Sequence, residues 1–339
     1  MSRPGEGLLI LDDVTVRRLL PPPVAAAAVA DMLARFSIGE GVQPHRLHVP
    51  SGRNDGQLLV MPAGDATGAL AVKVVGLFPG NAVAGLPSIT GLVLLFDPDT
   101  GRPCAVIDGA ALTEIRTAAV SAVATAHLAR ADARRLTVVG TGAQARAHLV
   151  ALAGVRPWVE ARIAGRTPHR AAALVEWARE RITDGMSVVA VDDIDDAVRG
   201  ADVVCTTTSA TEPVFDAGSV ARHGVHVNAV GAHRSTAREL PGALVGRAAV
   251  FVESRAAARA EAGDLCRAES EGLLSPDTPW TELGDVVAGR HPGRMTAEQT
   301  TVFKSVGMAL EDLATAVEVY RRAVAAGLGT TVHTVAGQS

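Results

Sequence analysis

The stretch Leu136-Thr-Val-Val-Gly140-Thr141-Gly142-Ala143-Gln144-Ala145 constrains what this chain can fold into more than any other. A short apolar run of strand type ends in a glycine turn, and helix-forming residues 147–153 follow at once. In that context the spacing GxGxxA has a physical meaning. The first glycine permits the tight turn, the second lets backbone approach a diphosphate, and the small third residue brings the helix against the strand. The first N–H groups of that helix then offer an anion its positive end. Strand-like runs at 161–164, 187–191, 203–206, 225–230 and 249–252 surround the turn, alternating in part with helix-like runs at 168–181 and 193–199. This alternation predicts βαβ units and a parallel sheet, hence an α/β protein of Rossmann type.

In such a unit the second strand ends in an acidic residue about 20 positions on when the ribose 2′-hydroxyl of NAD is bound. Here it ends Ile163-Ala164-Gly165-Arg166-Thr167, without a carboxylate. A guanidinium at Arg166 suits a 2′-phosphate, so the pattern favours NADP(H) over NAD(H). An arginine that merely solvates a loop is the plainer alternative.

At 339 residues the chain exceeds the size of a single core, and two domains are expected. Before the glycine turn, residues 24–36 read as a helix after three prolines. Residues 57–61, 69–75 and 91–96 read as strands, 97–101 as a turn closing a hairpin with 103–108, and 110–128 as an Ala-rich helix. Residues 297–325 read as one long amphipathic helix, with Phe303, Val306, Leu310, Leu313, Val317 and Tyr320 on its stripe.

Two cations stand in apolar surroundings. Lys73 lies in Ala69-Leu-Ala-Val-Lys-Val-Val75, where burial would lower its pKa and make it a usable acid near neutral pH; an edge-strand lysine guarding against aggregation is the alternative. Arg116 begins a helical stretch with no further charge up to residue 126 and wants a carboxylate partner, unless it snorkels to solvent.

With 32 basic residues against 36 acidic and no basic run, neither nucleic acid nor an anionic membrane surface is an expected partner. No run reaches the ~18 to 20 apolar residues of a membrane helix, and residues 7–11 are too few for a signal sequence. Cys104, Cys205 and Cys266 are too dispersed for a disulfide framework, so a reducing cytoplasm is expected. His223, His226 and His233 lack ligand spacing, and no metal is expected. There is no GxSxG elbow for a serine hydrolase.

Four stretches together resemble the ornithine cyclodeaminase and μ-crystallin family: Lys73-Val-Val-Gly-Leu-Phe-Pro-Gly-Asn81 with Gly85-Leu-Pro-Ser88; Leu112-Thr-Glu-Ile-Arg116-Thr-Ala-Ala; Val139 through Ala145; and Phe303-Lys-Ser-Val-Gly307 with Leu310-Glu-Asp-Leu313. The resemblance implies a homodimer. Residues 1–116 and 306–339 would form a mixed α+β substrate-binding and dimerisation domain, with an NAD(P)-binding Rossmann domain, 117–305, inserted before a C-terminal helix. It implies that Arg46, Lys73 and Arg116 hold the carboxylate of a small imino or amino acid, with Ser88 where threonine is usual. Gly140, Thr141, Gly142, Ala143, Gln144, Ala145, Arg166, Thr167, Thr206, Val230, Lys304 and Ser305 are counted as cofactor contacts.

His233 stands where cyclodeaminases carry an aspartate that handles the side-chain amine. The expected reaction is therefore NADPH-dependent reduction of a cyclic ketimine carboxylate of the Δ1-pyrroline-2-carboxylate or Δ1-piperideine-2-carboxylate type, with Lys73 handling the proton and His233 as its rival. An amino acid dehydrogenase on an acyclic 2-imino acid, a cyclodeaminase and an NADPH-dependent ligand-binding protein are the alternatives.

Overall fold

The computed structural model describes residues 7–182, 185–220 and 224–333. In chain order the elements are β1 (Leu8–Leu11), α1 (Asp13–Leu19), α2 (Pro22–Phe36), β2 (Gly41–Val42), β3 (Leu47–Pro50), β4 (Gln57–Asp65), β5 (Leu70–Leu77), β6 (Ile89–Phe96), β7 (Pro103–Asp108) and α3 (Gly109–Leu128). There follow β8 (Arg135–Val139), α4 (Ala143–Ala153), β9 (Glu160–Ala164), α5 (Pro168–Arg179), β10 (Ser187–Ala190), α6 (Ile194–Val198), β11 (Val203–Thr206), β12 (His226–Ala229) and α7 (Gly242–Gly246). The last are β13 (Ala249–Val252), α8 (Arg255–Glu261), α9 (Gly263–Ser270), β14 (Trp280–Glu282), α10 (Leu283–Val287), β15 (Thr301–Lys304), α11 (Ala309–Ala326) and β16 (Thr330–Val332). Two compact units result, Met1–Arg116 with Met308–Ser339, and Thr117–Gly307.

In the first unit the sheet runs β16-β1-β7-β6-β5-β4-β2, with β3 also on β4. Period-2 alternation decides its faces. Leu59, Met61, Ala63, Ala71, Lys73, Val75, Val93 and Leu95 are buried on the face that α11 covers. Leu58, Leu70 and Leu92 point the other way and are 40%, 47% and 50% exposed. Met61, Lys73, Val93 and Ile107 lie side by side across four strands. Lys73 is thus in the interior of the sheet, which removes the edge-strand alternative.

The second unit is an eight-stranded parallel sheet, β10-β9-β8-β11-β12-β15-β13-β14. Its chain order reverses between β8 and β11, the switch point where open α/β sheets take ligands. Leu136, Val138, Ala145, Leu149, Ile163 and Leu174 fill one core cluster. Val204, Val227, Leu244, Val250, Leu265 and Val302 fill another.

The single helix expected over 297–325 is corrected. Thr301–Lys304 is a fully buried strand between β12 and β13, and α11 starts only at Ala309. A buried four-residue apolar run cannot be told from a helical segment by periodicity. Gly307, at φ +79°, then turns the chain where a helix would have to run on. Phe303 accordingly packs in the sheet, while Val317 and Tyr320 are only half-buried. Leu8–Leu11, an apolar patch in the sequence, is a strand parallel to β7. Helix α4 begins at Ala143, four residues earlier than residue 147, so that the glycine turn is itself its N-terminus.

Two buried histidines tie the second unit to pH. His148 Nδ1 bonds the Gln144 carbonyl (2.7 Å), which assigns it as the donor, and Nε2 then accepts from Ser121 Oγ (2.9 Å). Burial pulls its pKa down to about 4. His226, enclosed between Thr301 and Asn228, falls to about 3 through burial, helped by Arg294. Both stay neutral in the fold, while an unfolded histidine protonates near pH 6.5. Stability is therefore lost as pH falls below 6.5, by about a few kcal/mol per histidine once pH 4 is reached. The thermal midpoint is expected to drop steeply on acidification, and less steeply in His148→Gln. Equal slopes in the two proteins would mean that His148 titrates normally.

Candidate functional site

In the first unit the two apolar-embedded cations are brought to one carboxylate. Lys73 Nζ lies 2.6 Å from Asp312 Oδ2, and Arg116 Nε lies 3.0 Å from Asp312 Oδ1. Arg116 Nη1 also meets Glu311 Oε2 at 3.0 Å, and Lys73 donates to Thr113 Oγ1 at 3.3 Å. All four charged side chains are buried. Burial pulls the Lys73 pKa down to about 8, with Asp312 opposing it and Arg116 and Arg46 adding to it. Arg46, half-buried, is thus close enough to act on Lys73 electrostatically. Ser88 is placed differently. Its carbonyl accepts the Phe78 N–H (2.8 Å), and its hydroxyl has no bond to the Lys73 group among the described residues.

Arg116 does not snorkel. Two carboxylates of α11 pair with its Nε and Nη1.

The sequence reading missed Glu311, Asp312 and Thr113. A signal existed: two adjacent acids interrupt an otherwise apolar helix stripe between Leu310 and Leu313. A second signal lies in composition. Of the 32 basic residues only Lys73 and Lys304 are lysines, and both are buried. Arginine serves everywhere else, so lysine stands where a compact, titratable point charge is needed.

In the second unit the turn after β8 has a closed side and an open side. A Cβ on Gly140, at φ +128°, would stand 2.5 Å from Thr207 Oγ1 and 2.8 Å from its carbonyl, so only glycine fits there. A Cβ on Gly142 would meet nothing within 4 Å. The exposed Gly142 and Ala143 and the half-buried Thr141 and Gln144 surround the first turn of α4, with Ala145 packed beneath. Gln144 Oε1 is buried without a hydrogen-bond partner among the described residues. Helix geometry leaves the N–H groups of this turn without intrahelical acceptors. Open space over orphan donors fits the diphosphate of a dinucleotide. Arg166, exposed after β9, and Thr167, the residue before α5, follow at the next strand end.

The other residues expected at the cofactor, Thr206, Val230, Lys304 and Ser305, make internal bonds at the strand ends. Lys304 is fully buried, its ammonium 3.0 Å from Asp264 Oδ2 and 3.2 Å from the Ala229 carbonyl. Thr206 gives its hydroxyl to Glu239 Oε2 (2.9 Å), and Ser305 gives its own to Glu253 (2.6 Å). Val230 donates its N–H to the Thr206 carbonyl (3.0 Å). Glu239 further accepts from the Thr208 N–H and hydroxyl and from the Gly231 and Ala232 N–H groups. Burial raises its pKa, with Lys304 opposing. This carboxylate therefore knots the segment after β11 to the segment after β12 that carries His233, whose Nδ1 lies 3.2 Å from the Gly231 carbonyl. Because a buried carboxylate with this many donors is a high-stakes group, Glu239→Gln is expected to cost about 3–5 kcal/mol of stability, read by chemical denaturation. A loss under 1 kcal/mol would show the knot to be dispensable.

Among the described residues no three of His, Cys, Asp or Glu gather as for a metal ion, and His223 lies outside those residues. No single described helix is long and apolar enough to cross a membrane.

A parallel sheet with a glycine turn at its switch point, in one chain with a buried lysine–arginine–carboxylate group, defines a two-unit α/β protein of the dinucleotide-binding class. Residues 8–327 match the ornithine cyclodeaminase/mu-crystallin family, and the chain belongs to that family. It is 40% identical to the ketimine reductase mu-crystallin of Mus musculus over 315 residues, covering 92% of this chain and 94% of that one. It is 38% identical to a Δ1-pyrroline-2-carboxylate reductase of Bacillus cereus over 303 residues, covering 89% and 92%. The structure of Thermococcus litoralis Δ1-pyrroline-2-carboxylate reductase in complex with NADH and L-proline superposes with a TM-score of 0.92 at 34% identity, covering 96% of this chain and all of that one.

Proposed function

We propose that the protein is an NADPH-dependent oxidoreductase that reduces a small cyclic ketimine carboxylate, of the Δ1-pyrroline-2-carboxylate or Δ1-piperideine-2-carboxylate type, to the cyclic amino acid. The observation that carries this reading is Lys73, a buried lysine whose ammonium shares the Asp312 carboxylate with Arg116, its pKa lowered by burial to about 8. Such a group is charged at neutral pH and gives up its proton readily, which suits protonation of an imine nitrogen. Arg46 and Arg116 supply the positive field for the substrate carboxylate. When bound on the glycine turn, a reduced nicotinamide dinucleotide supplies the hydride for the C=N carbon. The residues that would hold it are Gly140 to Ala145, with Arg166 and Thr167 at the ribose end. The two curated relatives above, both named reductases, support the same reading.

Loss of NADPH absorbance with a panel of cyclic ketimines, and of 2-oxo acids with ammonia or amines, tests it. Stoichiometric oxidation with a cyclic ketimine is expected. Ring closure of ornithine or lysine without net oxidation would instead make the protein a cyclodeaminase, a reaction for which His233 stands where an aspartate is needed.

A homodimer is part of this reading. The face of the first unit's sheet opposite α11 carries Leu58, Leu70 and Leu92, each at least 40% exposed, with Val72, Val74 and Leu94 half-buried among them. A contiguous apolar sheet face wants cover, and a second copy of the same face provides it. Light scattering is expected to give twice the 34.8 kDa of one chain, and Leu92→Asp should return it to one. A monomeric unmodified protein at micromolar concentration would overturn this.

A further inference from the structure

We propose that Asp312 is a positioning residue for this reaction, one carboxylate oxygen holding the Lys73 ammonium and the other the Arg116 guanidinium. The proposal rests on Lys73 being the proton donor.

The geometry sets Asp312 apart from its neighbours. Asp312 Oδ2 meets Nζ of Lys73 at 2.6 Å and has no hydrogen-bond donor beyond that ion pair among the described residues. Oδ1 meets Nε of Arg116 at 3.0 Å, while Glu311, the preceding residue, takes Nη1 of the same guanidinium. Two successive acids of α11 thus grip one arginine, and the second of them also holds the lysine. Both acids are at most 1% exposed, so solvent does not screen the contact.

Charge arithmetic shows what depends on it. Lys73 feels Arg116 and Arg46, two cations that disfavour its ammonium, and burial disfavours it further. Thr113, the other partner of Nζ, is neutral. Asp312 is the countercharge in direct contact, and Glu311 pairs with Arg116. With Asp312 in place the ammonium survives to about pH 8. Without it, burial and two guanidinium groups act on the ammonium without that countercharge, and the proton would leave at a lower pH. Asp312 therefore does two things through other side chains: it sets the spacing of the two cations, and it keeps a proton on Lys73 at the pH where reduction must occur.

The composition makes the test direct. Lys73 and Lys304 are the only lysines, so lysine labelled with ¹³C at Cε gives two resonances, and Lys304, paired with Asp264, serves as an internal control. In the unmodified protein the Lys73 signal is expected to titrate near pH 8. In Asp312→Asn it should titrate about one pH unit lower or more, with Lys304 unmoved. The alkaline limb of kcat/KM against pH should move down by the same interval, so that activity at pH 8 falls about fivefold or more while the acid side is kept. Asp312→Glu, which keeps the charge, should restore the limb.

A purely structural Asp312 would lower activity equally at every pH and leave the Lys73 titration in place, and that outcome overturns the proposal. If Asp312→Asn does not fold, the unmodified protein still decides: a Lys73 already neutral at pH 7 overturns it as well. Turnover of a Lys73 variant tests the donor assignment separately, so the two can fail independently.

Discussion

Lys73→Met is expected to lower turnover of the best cyclic ketimine about 10²- to 10⁴-fold, the usual worth of a positioned general acid, while NADPH still binds. Methionine matches the lysine stem in length and is apolar, so the row Met61–Lys73–Val93–Ile107 stays packed. Asp312 keeps Arg116 as a partner, which limits the cost of removing its other cation. Nucleotide binding, proposed above to take place on the glycine turn of the second unit, reports independently that the protein has folded. In the unmodified enzyme activity should fall as pH rises past about 8, because the acid must hold its proton and Lys73 loses it there. His233→Ala should cost far less, since that side chain is half-buried in a loop with the Gly231 carbonyl beside Nδ1. A larger loss at His233 than at Lys73 would reverse the assignment.

What the sequence made legible followed from local physics. The strand, glycine turn and helix at 136–153 are readable because Gly140 stands where a side chain would meet Thr207 and Gly142 where the space beside the turn is open. Lys73 and Arg116 stood out because charge within an apolar run is costly, and the structure gives each a carboxylate. Less legible was where those carboxylates come from. Asp312 is 239 positions from Lys73 in the chain, and no local pattern encodes that pairing. The same holds for Lys304, whose partners Asp264 and the Ala229 carbonyl come from distant segments of the chain. Residues 301–304 failed for another reason: four buried residues are too few to show a period, and their strand character comes from lying between β12 and β13.

Arg166→Asp is expected to reverse the nucleotide preference. The strand β9 ends at Ala164, Gly165 passes close under the glycine turn, and Arg166 emerges exposed, with no partner among the described residues. Thr167 and Pro168 then open the twelve-residue helix α5, whose first turn adds the exposed His169 and Arg170. Residues 163–167 hold no carboxylate, so a 2′-phosphate at this strand end would meet a planar guanidinium that can grip two of its oxygens. Charge-assisted bonds of this kind are worth about ten- to a hundredfold in affinity. Aspartate at 166 removes that grip, repels the phosphate and places an acceptor where the 2′-hydroxyl of NADH can donate. NADPH should therefore lose about ten- to a hundredfold while NADH gains. Calorimetric titration of both nucleotides against both proteins measures this, and raising the salt should weaken NADPH binding to the unmodified protein more than NADH binding. Equal affinities for the two nucleotides in the unmodified protein would return Arg166 to the role of a solvated loop residue.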